Sequence, residues 1–161
     1  MIKIKSTMFA ILIAFAALPA WGMESSDKLT VIAYSAATPE QRRDASTLMI
    51  KEFCKVLGNP LEQINLLLDG DAVKGALVYR DATFNDKKAR NIEYLAIDET
   101  CRRKHHGRFL TQKTEDAAQK LDIQLITAQA KPSAVGFYTK LGFIPNENTS
   151  RLMYKLLGKK Q

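Results

Sequence analysis

The chain has 161 residues, 46% apolar and 25% charged, with 24 Lys and Arg against 17 Asp and Glu, for a net charge of +7. This composition excludes an intrinsically disordered or fibrous chain and leaves room for one domain with a proper core. The basic balance favours phosphates, nucleic acid or an anionic membrane face as partners without choosing among them.

Residues 1–22 read as a targeting segment, to be set aside before the fold is considered. Lys3 and Lys5 form a short basic stretch, and Met8 to Ala20 is an apolar run of 13 residues, short for a permanent span of a ~30 Å hydrocarbon core. Ala20 and Gly22 put small residues where a signal peptidase reads, so cleavage is expected after Gly22. That leaves residues 23–161 as a single exported domain with no stable membrane span. The alternative is an uncleaved anchor or a buried helix, with the chain membrane-anchored or cytoplasmic. Cleavage removes two lysines and no acid, so +7 becomes +5 and the domain stays basic.

Leu29 to Tyr34 is rich in β-branched and aromatic residues and predicts a first strand. Thr38-Pro39-Glu40-Gln41 supplies a capping residue, a proline at the first helical position and a reciprocal Gln. Ala45, Leu48, Met49, Phe53 and Val56 then recur at helical spacing, and Gly58-Asn59-Pro60 ends the run. Gln63 to Leu68 and Val73 to Arg80 flank Asp69-Gly70-Asp71 and predict an antiparallel hairpin. A charged link, Asn85 to Arg90, precedes a strand over Asn91 to Ile97.

The basic loop Thr100 to Gly107 leads into a helix carrying Phe109, Leu110, Ala117 and Leu121, followed by a strand over Ile123 to Ala128. Pro132-Ser133 opens a short helix whose apolar face is Ala134, Phe137, Tyr138 and Leu141, with Gly142 at the left-handed cap position. Phe143 and Ile144 begin a strand, and Arg151 to Leu157 pairs back across the loop Pro145 to Ser150. The order β-α-β-β-β-α-β-α-β-β, without internal repeat or interior linker, predicts a single α/β domain.

Cys54 and Cys101 are too far apart for a short metal motif, and no metal is expected. A disulfide in an oxidising compartment and two solitary buried thiols are equally good accounts of them.

The stretch Leu95-Ala96-Ile97, then Arg102-Arg103-Lys104-His105-His106-Gly107-Arg108, is a strand that breaks into a basic turn and a helix. Such a turn builds an anion site: amides at a helix N-terminus converge, the helix dipole favours negative charge, and Arg and Lys add charge-assisted bonds to phosphate oxygens. A diphosphate fits it; a solvated surface turn is the plain alternative. The later stretch Ala134-Val135-Gly136-Phe137-Tyr138-Thr139-Lys140-Leu141-Gly142-Phe143 puts a phenol on a short helix just after a strand. With an ordinary pKa of about 10, a tyrosine holds its proton at neutral pH and can donate it to a departing thiolate.

These two stretches, about thirty residues apart in this strand and helix order, resemble the GNAT acetyltransferase family. The loop is similar to its Q/R-x-x-G-x-G/A pyrophosphate motif, with Arg102 first and Gly107 last, and the later stretch to its A-x-x-F-Y-x-K-x-G-F signature. The resemblance implies the acyl-CoA N-acyltransferase fold, with a mixed α+β sheet, and acetyl-CoA as co-substrate. It implies that backbone groups of Leu95, Ala96 and Ile97 bind the pantetheine amides as an added strand would, and that Arg102, Arg103, Lys104, His105, His106, Gly107 and Arg108 hold the pyrophosphate. Tyr138 is then the general acid toward the CoA sulfur. Glu93, read as sharing a strand face with Leu95, is the candidate general base, its plain alternative being an ion-paired strand residue.

Two positions depart from the pattern. His105 replaces the usual first glycine of the loop, where a Cβ crowds a backbone that must approach phosphate or take positive φ. Lys131 stands where many members carry Asn, free to meet a CoA phosphate or to face solvent.

The expected activity is acetyl transfer by direct attack of a primary amine, on a small molecule or a peptide, with strand N–H groups stabilising the oxyanion. The alternative is a degenerate module that binds CoA or another phosphorylated ligand without turnover. Nucleic acid is not an expected partner, since no aromatic platform or reading helix accompanies the charge.

Overall fold

The computed structural model describes residues 29–59, 62–84, 86–147 and 149–158. The proposed targeting segment and its cleavage position lie outside them. In chain order the elements are β1 (Leu29–Ala33), α1 (Pro39–Phe53), β2 (Gln63–Asp69), β3 (Ala72–Phe84), β4 (Lys87–Ile97), α2 (His106–Lys120), β5 (Leu125–Gln129), α3 (Val135–Lys140), β6 (Ile144–Asn146) and β7 (Thr149–Leu156). This is the predicted order.

The local signals explain most boundaries. Thr38 Oγ1 accepts from the Gln41 amide at 3.2 Å while Gln41 Oε1 accepts from the Thr38 amide at 3.0 Å, the reciprocal cap that contributes about 1 kcal/mol at a helix start. Helix α1 ends earlier than Gly58, at Cys54, which takes a left-handed φ of 52°. Beyond that cap Lys55 reaches Glu62 and lies over the Tyr94 ring, and Val56 is exposed instead of packing on the helix face. Cys54 is exposed and Cys101 buried, and both are free thiols.

The strands form one sheet in the order β1-β2-β3-β4-β5-β7-β6. Every neighbouring pair is antiparallel except β4 with β5. Helix α1 covers one face, where Ala45, Leu48 and Met49 pack on Ile64, Leu66, Leu68, Ala76 and Val78. The other face is covered by α2 and α3, with Leu110, Ala118 and Tyr138 against Leu67, Leu77, Ile92 and Ile126. Strands β2 and β3 are therefore apolar on both sides, which is why Leu66-Leu67-Leu68 shows no alternation.

The expected charged link is not a loop. Strand β3 runs to Phe84 and β4 begins at Lys87, so Asp81 to Arg90 is the far half of a long hairpin. Asp81 and Arg90 are direct cross-strand partners. Arg90 is only 1% exposed. It donates to both Asp81 carboxylate oxygens at 2.7 and 2.9 Å and to the Thr114 carbonyl at 3.3 Å, and its guanidinium lies 4.0 Å from the Tyr79 ring centroid. A charged run reads as a link only until its charges find each other across a strand.

Between Val78 and Tyr79 the β3–β4 register shifts, pairing them with Tyr94 and Ile92 and leaving Glu93 as the extra residue of a bulge on β4. A bulge bends its strand and increases twist. The parallel pairing of β4 with β5, Ala89–Ile92 against Leu125–Ala128, stops at the same place. Beyond it the two strands part.

Removing the Asp81 carboxylate strands a buried guanidinium. Asp81→Ala is expected to lower stability by about 2–4 kcal/mol, below the full buried-pair range because Asp81 is partly exposed. Urea unfolding measures this, and a loss under about 0.5 kcal/mol would reduce the pair to an ordinary surface contact.

Candidate active site

The gap between β4 and β5 exposes a strand edge. The Asp98 amide donates to the Lys74 carbonyl, toward β3. Backbone direction alternates along a strand, so the Ala96 amide also faces β3, and Leu95 and Ile97 turn their N–H and C=O toward the open side. The Ile97 carbonyl is met there by Arg102 Nε at 3.3 Å.

After β4, one turn of 3-10 helix (Glu99–Cys101) leads to residues 102–105 and the start of α2. Arg103 and His105 both take left-handed conformations, with φ of 64° and 62°. The substitution at the usual glycine position is thus accommodated by strain, at a cost of about 1–2 kcal/mol. His105 is the N-cap of α2 and gives it no side-chain cap, leaving first-turn amides for an external acceptor. His106 Nδ1 donates to the Cys101 carbonyl at 2.9 Å, which fixes the turn from inside. Gly107 sits at a close approach: a Cβ there would lie 3.3 Å from the Phe137 ring, which would have to give by a few tenths of an ångström.

These pieces enclose a cavity of about 740 Å³. Leu95, Ala96, Ile97, Arg102, Arg103, His105, His106, Gly107 and Arg108 line it, and so does Tyr138, from α3 on the opposite wall. Lys104 is exposed on the turn and outside the lining.

Tyr138 is 6% exposed and packed edge-on between Phe137 and Phe143, with ring centroids 5.1 and 5.2 Å away. Burial pushes its phenol up to about 12, so it is protonated throughout the neutral range.

Glu93 and Lys131 line a second cavity instead, beside the first, of about 820 Å³. The bulge breaks alternation at Glu93, so it does not share the cavity of Leu95 as strand periodicity suggested. Glu93 Oε1 lies 2.8 Å from Arg80 Nε; this is an ion pair, not an aligned hydrogen bond, because that Nε has no hydrogen-bond partner. Lys131 rests its ammonium 4.8 Å from the Phe53 ring centroid. Ser133 lines both cavities.

Several residues at the site are not anticipated by the sequence, Lys55 and Arg151 of the second cavity among them. Glu52 of α1 pairs with Arg102 across fifty positions of sequence, a contact no local pattern encodes. Glu62 and Arg80 line the second cavity. Their only local signal is a charge at either end of an apolar strand run.

Residues 41–152 match the family profile described as acetyltransferase (GNAT) domain, and the chain belongs to the GNAT acetyltransferase family. Among solved structures the fold is similar to Tetrahymena GCN5 (TM-score 0.63, 16% identity, 76% of this chain and 89% of that one). It is also similar to AtaTR bound with AcCoA (TM-score 0.62, 22% identity, 81% and 94%) and to Ard1 from Thermoplasma volcanium (TM-score 0.63, 13% identity, 81% and 99%). At these identities the likeness is one of fold. No curated protein matches the sequence significantly. No group of three or more potential metal ligands occurs among the described residues, and none of their helices is long and apolar enough to cross a membrane.

The buried phenol sets a titration. Its pKa is raised in the folded state, so its contribution to stability is complete below about 10, the unfolded value, and is lost as pH rises through about 12. An ultraviolet difference titration of the wild type against Tyr138→Phe should show one tyrosine ionising only near pH 12 or on unfolding. Ionisation of that residue near pH 10 in the folded protein would contradict its burial.

Proposed function

We propose that this protein is an N-acetyltransferase that takes an acetyl group from acetyl-CoA to a primary amine by direct attack. The observation that carries the reading is one cleft bounded by three unlike elements: an unpaired strand edge, an uncapped basic helix start and a buried phenol. Each matches a different part of the ligand. The left-handed turn and first-turn amides of α2 suit a diphosphate, with Arg103 and Arg108 adding charge. The Leu95 and Ile97 edge suits an extended chain of amides.

When bound, acetyl-CoA supplies a thioester whose acyl carbon the amine attacks, the C–N bond forming as the C–S bond breaks. The residues of the chain do the rest. Tyr138 holds a proton at neutral pH and gives it to the departing sulfur, while desolvation disfavours leaving the phenolate behind and so favours prompt reprotonation. Glu93 is the carboxylate on the amine side, its charge offset by Arg80, and accepts the proton the amine loses. The open strand N–H groups of β4 would stabilise the oxyanion.

Binding without turnover is the second reading, and His105 is what favours it. Its left-handed conformation weakens that case, because the loop takes the glycine-like backbone even with a side chain present.

The test is acetylation of an amine panel, followed by thiol release. Tyr138→Phe is expected to lower kcat by about 10²-fold or more, the usual worth of a general acid, with acetyl-CoA affinity retained by isothermal titration. Equal kcat in the variant would remove Tyr138 from the chemistry, and failure of acetyl-CoA to bind the wild type would remove the reading altogether.

We also propose that residues 1–22 direct export and are removed. N-terminal sequencing of protein recovered outside the cytoplasm should begin at Met23; an intact N-terminus there would contradict cleavage.

A further inference from the structure

The second cavity narrows the class of acceptor, on the footing that the first holds acetyl-CoA. It opens where β4 and β5 part, and its lining charges come from the two banks of that gap. On the β3–β4 bank stand Arg80 and Glu93, joined by Lys55 and Glu62. Lys55 Nζ lies 2.5 Å from Glu62 Oε1, and Arg80 lies 2.8 Å from Glu93 and 3.7 Å from Glu62. Two cations and two carboxylates cancel there.

The cancellation is incomplete in its contacts. The Glu62 side chain is 0% exposed and its Oε2 has no hydrogen-bond partner. A buried carboxylate oxygen in that condition is costly and calls for nearby positive charge. Lys55 and Arg80 supply it through the other oxygen, Oε1.

The bank formed by the end of β5 and by β7 differs. Lys131 and Arg151 line the cavity from it, and the Arg151 carbonyl accepts the amide of Ala130, the residue before Lys131, at 2.8 Å. Neither belongs to an ion pair found among the described residues. The cavity therefore presents a charge-balanced bank that includes the Glu93 carboxylate, and across from it two cations outside any of these ion pairs, Lys131 resting on the Phe53 ring. A polyamine meets repulsion from the second bank, and a neutral amine leaves it unused.

We infer that the acceptor is an amine that carries its own anionic group a short distance away, a carboxylate or a phosphate, with the ammonium toward Glu93 and the anion toward Arg151 and Lys131. The cavity is large enough for a small molecule of this kind or for the end of a larger one.

The experiment compares matched acceptors: α-amino acids, their carboxamides, aminoalkyl phosphonates and simple diamines. Steady-state thiol release with acetyl-CoA gives kcat/KM for each, and isothermal titration gives acceptor binding independently of turnover. The anionic members are expected to exceed the carboxamides by about tenfold or more, the ~1.4 kcal/mol of a charge-assisted contact. The better of carboxylate and phosphonate assigns the anion. Arg151→Gln combined with Lys131→Gln should bring the ratio of anionic to neutral acceptor toward one; both positions are exposed, so folding is not at stake.

Acetylation of amines with no preference for the anionic members, or a preference that survives the double variant, overturns the inference and leaves acetyl transfer standing. Binding of anionic amines without turnover supports the inference and overturns acetyl transfer. Neither binding nor turnover overturns both.

Discussion

A strand inside a sheet normally spends its backbone groups on both neighbours. Here β4 keeps β3 along its whole length and gives up β5 after Ile92. The bulge at Glu93 turns the strand at that point, and Leu95 and Ile97 turn their amides and carbonyls to a cleft instead of a strand neighbour, the Ile97 carbonyl being met by Arg102. Main-chain groups without a strand neighbour in a half-buried strand call for a substitute, and an extended ligand rich in amides is a natural one. The two cavities exist because of this single failure of pairing.

The rest of the fold holds that gap open. Leu67, Leu77 and Ile92 anchor α2 on one face, which fixes its N-terminus beside the end of β4. Met49 and Leu48 fix α1 on the other, bringing Glu52 to Arg102 and Phe53 to Tyr94. The Arg90–Asp81 pair locks β3 to β4 just where β4 is about to leave its other neighbour. Phe143 and Phe137 grip the Tyr138 ring, so the phenol is positioned by packing and raised in pKa by the same burial. Rigid elements thus surround a region that is open only along its backbone.

Much of this was legible in the sequence. The capping box at Thr38, the turn at Gly70, the cap at Gly142 and the apolar face of Tyr138 and Leu141 are local signals, and the structure realises each where the residues placed it. The basic turn and the Tyr138 helix were read as two halves of one site, and they line one cavity. What escaped was non-local. The stretch ending at Arg90 reads as a charged link because Asp81, the partner of Arg90, is reached only across the hairpin. Glu93 was assigned to the wrong wall because a bulge has no signature in periodicity, and Lys131 went with it to the second cavity. Glu62 and Arg80 meet only once β2, β3 and β4 are laid side by side.

The central claim is that the open edge of β4 and the start of α2 together hold the nucleotide. Backbone amide NMR on titration with CoA tests it most directly. The account predicts saturable shifts, with slowed hydrogen exchange, at Leu95, Ile97, Gly107 and Arg108, while the Ala96 amide, already bonded toward β3, keeps its exchange rate. Shifts confined to the second cavity, or no saturable change at the β4 edge, would contradict it.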